Sequence, residues 1–375
     1  MTWDVNQGAA VSGRRPWMPH WATAGAGFLG STTGIAVNLY SAEFRRTLEA
    51  PSRMGAGAVS IIITAVVASG STALIYWWMT WRRRQFRIAT GNIRIRADIL
   101  ESTESRDDSV VGRSLRYLEA KRGTDDLLVF FHGLGLDAND FRAYLAESKW
   151  HCIAVTLFGF NTDDQNDRYP PISLQAHLKI LSYGLAYIKR MYPAKRITLV
   201  GFSFGADMLL FLPESFQKTL ESVDVHRVVL LDPNVNRSTT TISSRITQIT
   251  PDRPLGELAE ILRSATDTTE FRYLAEYLCK IAGKNFAQVQ RHAADVVARW
   301  SRDSHEPFLD YVSQLVRLTG GVHVVFSFNY HHLFNTVAHR AAIRGLESKS
   351  FECSTLDHFE LISPDFLKQR LEGVL

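Results

Sequence analysis

Between residues 91 and 375, short apolar runs alternate with longer segments of helical period. NIRIRADIL (92–100) alternates apolar and polar positions, and SLRYLEA (114–120) follows after the polar breaker at 101–113, so both predict strands. DLLVFFHG (126–133) is continuously apolar and ends in glycine, as a central strand covered on both faces would be. A helical stretch at 139–148 leads to the run HCIAVTLFG (151–159), a polar loop, and the periodic segment 173–192. RITLVGFSFGA (196–206) and HRVVLLDP (226–233) predict two more buried strands with an apolar helix between them. From about 236 to 320 the rhythm changes to four amphipathic helical patterns, near 255–265, 268–282, 285–300 and 306–318, without a strand among them. Alternation returns with GVHVVFSFN (321–329), a helix near 331–345, KSFECSTL (349–356) and a last helix over 364–372. Strand and helix in turn predict an α/β fold with a mostly parallel sheet and helices on both faces, and the region 236–320 reads as an inserted helical cap.

The first 90 residues follow another pattern. Residues 54–81 carry no charge over twenty-eight positions, whereas a bilayer core needs only about twenty helical residues. Tyr76, Trp77, Trp78 and Trp81 gather at one end, and Arg82, Arg83, Arg84 and Arg87 follow at once, the order expected of a headgroup belt and a basic stop. Residues 55–81 are therefore expected to form a spanning helix. An earlier uncharged stretch, 17–41, is long enough for a second span but is broken by Gly25, Gly27, Gly30 and Gly34; an interfacial or loosely ordered segment is the alternative. Six arginines shortly after residue 81 against three shortly before residue 54 predict that the carboxyl side faces the cytoplasm, with one span or two. The expected organisation is a membrane region at 1–90 and a catalytic domain at 91–375.

Composition narrows the function classes. With 46% hydrophobic and 21% charged residues among 375, disorder and fibrous repeats are excluded. Nine arginines and only three acids fall within the first 90 residues, beside the apolar segments, so the excess basic charge is better explained by a membrane than by nucleic acid. Cys152, Cys279 and Cys353 are few, odd in number and far apart, which suits a reducing compartment and offers no zinc spacing.

Gly201-Phe202-Ser203-Phe204-Gly205 matches G-x-S-x-G. Its context gives it force: a buried-strand run precedes it and a helix-compatible run follows, so Ser203 would occupy a sharp strand-to-helix turn, with the small flanking residues letting chain and substrate approach closely. His132-Gly133-Leu134-Gly135 closes the earlier central strand, where the N–H of Leu134 could join that of Phe204 in holding a developing oxyanion. The His132 imidazole itself reads as buried and structural. A serine hydroxyl needs a base. Of twelve histidines, His358 in LDHFEL is best placed, after the last predicted strand, with His331 and His332 next in order.

On FFHGLG, GFSFG and DHF, the chain resembles the α/β-hydrolases over about residues 92–375. The resemblance implies an eight-stranded, mostly parallel sheet, a cap between strands six and seven, and a triad in the chain order Ser, acid, His. The acid departs from the commoner pattern, which places it after strand seven: no Asp or Glu lies between Val322 and Gly345. Asp232, ending the VVLLD run, matches the minority arrangement after strand six. A helix-capping role for Asp232, or an orienting role for Asn329 or Asn335, is the alternative; Asp357 adjoins His358 and Asp207 and His177 read as structural.

The resulting expectation is a membrane-anchored serine hydrolase of carboxylic esters, thioesters or lipid esters that works through an acyl-enzyme without metal or organic cofactor. Aromatics near the motifs, including Phe158, Phe160, Phe328 and Tyr330, favour an apolar acyl or aryl group. The alternative from another class is a catalytically weak or inactive hydrolase-fold module that binds or signals at the membrane. Nothing in the sequence fixes the oligomeric state.

Overall fold

The computed structural model describes residues 71, 72, 75, 88–95, 112–160, 170–250, 254–346 and 350–374. The two candidate spans at 17–41 and 55–81 lie almost wholly outside these residues. Among the described residues, no helix is long and apolar enough to cross a membrane.

The chain separates into two compact units, Met1–Arg82 and Arg83–Leu375. The larger holds an eight-stranded sheet made of β1 (Ile88–Arg94), β2 (Ser114–Ala120), β3 (Asp126–Phe131), β4 (His151–Thr156), β5 (Arg196–Phe202), β6 (Val225–Leu231), β7 (Val322–Phe326) and β8 (Phe351–Cys353). Their order in space is β1-β2-β4-β3-β5-β6-β7-β8. β2 pairs antiparallel with both β1 and β4, and every other neighbouring pair is parallel. Each residue of β3 is buried, as its unbroken apolar run requires of a strand covered on both faces.

Helices α1 (Arg142–Glu147), α2 (Leu174–Met191) and α3 (Phe204–Val223) connect β3 to β4, β4 to β5 and β5 to β6. Five more helices intervene between β6 and β7: α4 (Thr241–Gln248), α5 (Pro254–Arg263), α6 (Thr268–Ala282), α7 (Phe286–Arg299) and α8 (Glu306–Leu318). α9 (His331–Ile343) and α10 (Pro364–Val374) complete the fold. The four helical patterns read in this region from sequence correspond to α5 through α8.

α4 was not foreseen, and its composition explains why. TISSRITQ is rich in hydroxyl and β-branched residues that propagate helix poorly. Tertiary contacts hold it instead: Ile246 is buried, and the Gln290 side chain on α7 donates to the carbonyls of Ile246 (3.2 Å) and Ile249 (2.7 Å) at its carboxyl end. The first strand begins earlier than 92, at Ile88, because backbone pairing with β2 extends upstream to Ala120; residues 96–100 of the predicted strand lie outside the described residues.

A buried carboxylate ties the two turns at the sheet's carboxyl edge together. Asp207, in the first turn of α3, accepts hydrogen bonds from the Asn234 backbone N–H (3.0 Å) and side-chain amide (2.6 Å), so the loop after β6 is fixed to the helix after β5. Complete burial pushes the Asp207 carboxyl up to about 7, although both of these donors favour its ionised form. Between the ordinary value of 3.8 and about 7, the folded protein holds a proton there that the unfolded chain has released. Stability from this group is therefore present at low pH, falls as pH rises through that window and levels off above it. Thermal unfolding of Asp207→Asn, compared with wild type from pH 4 to pH 8, is expected to show a flatter decline in Tm over that range; an unchanged slope would assign the pH dependence elsewhere.

Candidate active site

Parallel strands deliver their carboxyl ends to one edge, and the polar residues singled out in the sequence collect there. Ser203 joins β5 to α3 with φ 51° and ψ −117°, a conformation that costs a non-glycine residue about 1–3 kcal/mol. The turn survives because its surroundings over-determine it. The Ser203 N–H donates to Leu231 O (2.8 Å), and the Ser203 carbonyl accepts from Ala206 and Asp207. No side chain fits at its flanks: a Cβ on Gly205 would lie 2.3 Å from Phe131 O, and one on Gly201 2.7 Å from the Ala206 backbone.

Phe204 is the first residue of α3, so its N–H has no partner within the helix. Its ring packs beneath the cap, 5.2 Å from the His292 ring on α7 and 6.2 Å from Phe160. His292 in turn hydrogen-bonds His177 of α2, and burial holds both imidazoles below their usual range. His177, read as structural, thus forms part of the packing under the serine turn.

The loop after β3 is organised by His132. Its Nε2 accepts from the Leu157 N–H (3.0 Å), which assigns the proton to Nδ1, and Nδ1 donates to Gly133 O (2.8 Å). Burial pushes this imidazole down, in keeping with a neutral ring. The Gly133 carbonyl also accepts from Leu136 (3.1 Å). Because the peptide is planar and trans, anchoring that carbonyl aims the N–H of Leu134 the opposite way.

Asp232 ends β6 with φ 51° and is 2% exposed. Its N–H donates to Val325 O (2.7 Å), and its carboxylate accepts three hydrogen bonds: from Ser327 N–H (2.7 Å), Ser327 Oγ (2.7 Å) and His358 Nδ1 (2.5 Å). An acceptor-only carboxylate on Nδ1 leaves the lone pair of His358 on Nε2. The His358 ring also rests against Phe202 and Phe359, at centroid distances of 4.7 and 5.1 Å.

Of the alternatives, His331 stacks on Phe328 and Asn335 lines a separate groove with Phe334 and Cys353, while Asp357 lines the same cavity but accepts from the Glu360 N–H (3.0 Å) and does not bond His358 among the described residues. His332 and Asn329 reach the same cavity as His358, yet neither bonds Asp232 among the described residues. Sequence reasoning missed Ser327. It occupies the end of β7, where the commoner arrangement would carry the acid, and there it supplies two donors to an acid on the neighbouring strand. The signal was available in VVFSFN, a hydroxyl at a strand end, but it is not specific by itself.

Ser203, Asp232, His358, Leu134 and Gly133 line one cavity of about 310 Å³, closed on its far side by the cap. Such a volume is at the lower end of small-ligand sites, which run from about 300 Å³ upward. Among the described residues no group of three or more His, Cys, Asp or Glu side chains is arranged to hold a metal ion.

Comparison with known proteins agrees with this architecture. No curated protein sequence matches the chain. Among solved structures, it is similar to AqdC, which cleaves the ring of the Pseudomonas quinolone signal (14% identity, 77% of this chain and 98% of that one, TM-score 0.51). It is also similar to a thermophilic esterase from Thermogutta terrifontis (15% identity, 76% and 97% covered, TM-score 0.50). A carboxylesterase of the thaumarchaeon Nitrososphaera gargenis gives 14% identity, 70% and 93% coverage and TM-score 0.50. At such identities the likeness is one of fold, and a fold shared by ring cleavage and ester hydrolysis does not choose the reaction. The sequence profile of the alpha/beta hydrolase family matches residues 128–352, more than half of the chain, and the protein belongs to that family.

Proposed function

We propose that the protein is a serine hydrolase of carboxylic esters, with Ser203 as nucleophile, His358 as general base and Asp232 as the acid that orients it. The observation that carries this reading is the 2.5 Å hydrogen bond from His358 Nδ1 to a buried carboxylate, in a cavity that Ser203 also lines. With Nδ1 committed, Nε2 is the nitrogen available to take the serine proton as Oγ attacks the carbonyl carbon. The N–H groups of Leu134 and Phe204 then receive the oxyanion. Collapse of the tetrahedral species expels the alcohol with the proton from His358, leaving an acyl-serine. Water, deprotonated by the same imidazole, releases the acid and restores the enzyme. Two esterases among the proteins of like fold are compatible with this chemistry.

We also read residues 55–81 as a membrane anchor, supported by the uncharged run, its aromatic end and the arginines beyond it. An anchored enzyme meets lipid-dissolved esters at raised local concentration.

A fluorophosphonate probe is expected to label the wild-type protein and not Ser203→Ala; a folded wild-type protein that resists labelling would favour the binding module instead. Asp232→Asn should lower kcat by about 10⁴-fold by releasing the imidazole tautomer. Ser327→Ala removes one of the three donors on the same carboxylate and should cost about tenfold in kcat with little change in KM. Near-normal turnover of both variants would move the orienting role away from Asp232. For the anchor, reporter fusions on either side of 55–81 should place the carboxyl side in the cytoplasm, and an extracytoplasmic reporter after residue 90 would reverse that orientation.

A further inference from the structure

The cavity beside Ser203 has an asymmetric wall. On one side α6 presents Glu270, Tyr273 and Tyr277, spaced so that they share one helix face. Phe359, next after His358, packs against both tyrosines, with ring centroids 5.3 Å from Tyr277 and 6.3 Å from Tyr273. Asp357 lines the cavity from the same turn. No lysine or arginine lines it among the described residues, and neither Glu270 nor Asp357 forms an ion pair among them.

These carboxylates are engaged only by neutral donors. Glu270 Oε2 accepts from the Thr266 N–H and hydroxyl, both at 2.7 Å, and Asp357 accepts from the Glu360 N–H. Burial, and then the nearby Glu360 carboxylate, hold the Asp357 carboxyl above its ordinary value, although the neighbouring His358 imidazole and backbone donors act the other way. Tyr277 adds an independent sign. It is 6% exposed, it lines the cavity, and its hydroxyl has no hydrogen-bond partner among the described residues. One cation is close at hand: the Arg272 guanidinium lies 5.7 Å from the Tyr273 ring centroid, but Arg272 is exposed and does not line the cavity.

We infer that this wall is a subsite for an alkylammonium group, so that the esters taken are cationic and of choline-like size. The inference rests on the ester-hydrolase reading of Ser203 and names the substrate class for it. A quaternary ammonium meets the negative faces of aromatic rings and two carboxylates while retaining an apolar surface that fits the tyrosines. A carboxylate or phosphate in the same place would meet like charge and no basic partner. A cavity of about 310 Å³ accommodates an ammonium alcohol joined to a short acyl chain.

The test is calorimetric binding of choline to the full-length protein against 3,3-dimethylbutanol, its uncharged isostere of the same shape. Choline is expected to bind about tenfold more tightly. Glu270→Gln and Tyr273→Leu, made separately, should each cut that preference severalfold. Ser203→Ala should keep it, since the subsite does not depend on the nucleophile. Equal binding of the two compounds, tighter binding of the uncharged one, or no choline binding at concentrations on the order of 10 mM would overturn the subsite. The two readings fail separately: probe labelling of Ser203 without an ammonium preference defeats the subsite alone, and an ammonium preference without labelling defeats the hydrolase reading alone.

Discussion

The site depends on one buried carboxylate that serves three strands at once. Asp232 closes β6, takes both donors of Ser327 from the end of β7 and receives Nδ1 of His358 from the loop after β8. A carboxylate removed from water is costly unless its lone pairs are filled by well-placed donors, and here three donors lie within 2.7 Å. The same bonds that keep the charge tolerable therefore fix where the imidazole stands. A residue brought from 126 positions away along the chain becomes part of a rigid sheet edge.

Backbone conformation makes that possible. Ser203 and Asp232 both have φ of 51°, and each ends a parallel strand. Such a turn lifts a side chain out of the strand's alternation and over the sheet's edge. Strain of this kind persists only where neighbours enforce it. Around Ser203 the enforcement comes from Gly201 and Gly205, which leave no room for a Cβ, and from the Ser203 N–H bonded to β6. The Asp207 and Asn234 pair fastens the two strained turns to each other, so neither can relax alone.

Much of the fold was legible because its signals are local. DLLVFF, RITLV and VVLL are mainly apolar runs closed by His132-Gly133, Gly201 and Asp232, and they became β3, β5 and β6. The amphipathic period of 268–282 and 306–318 agreed with α6 and α8 to the residue. Features set by tertiary contact were not legible: α4 forms against its own propensity because Gln290 satisfies its end, and the register of β8 with β7 covers only Phe351 to Cys353 among the described residues. Ser203 could be read from its motif and His358 from its position after the last strand. Asp232 could be named only by resemblance and by the lack of acids between Val322 and Gly345, and Ser327 not at all, since a donor's value depends on an acceptor ninety-five residues away. The aromatic wall of the cavity escaped for the same reason, as its members come from α6 and from the turn after His358.

The claim on which the rest turns is that these groups form one acyl-transfer centre. The most direct measurement is a crystal structure of the full-length protein after reaction with a fluorophosphonate. The account requires phosphorus bonded to Ser203 Oγ, with a phosphoryl oxygen about 3 Å from the N–H groups of both Leu134 and Phe204 and His358 still joined to Asp232. An adduct on another residue, or a phosphoryl oxygen turned away from both N–H groups, would contradict it.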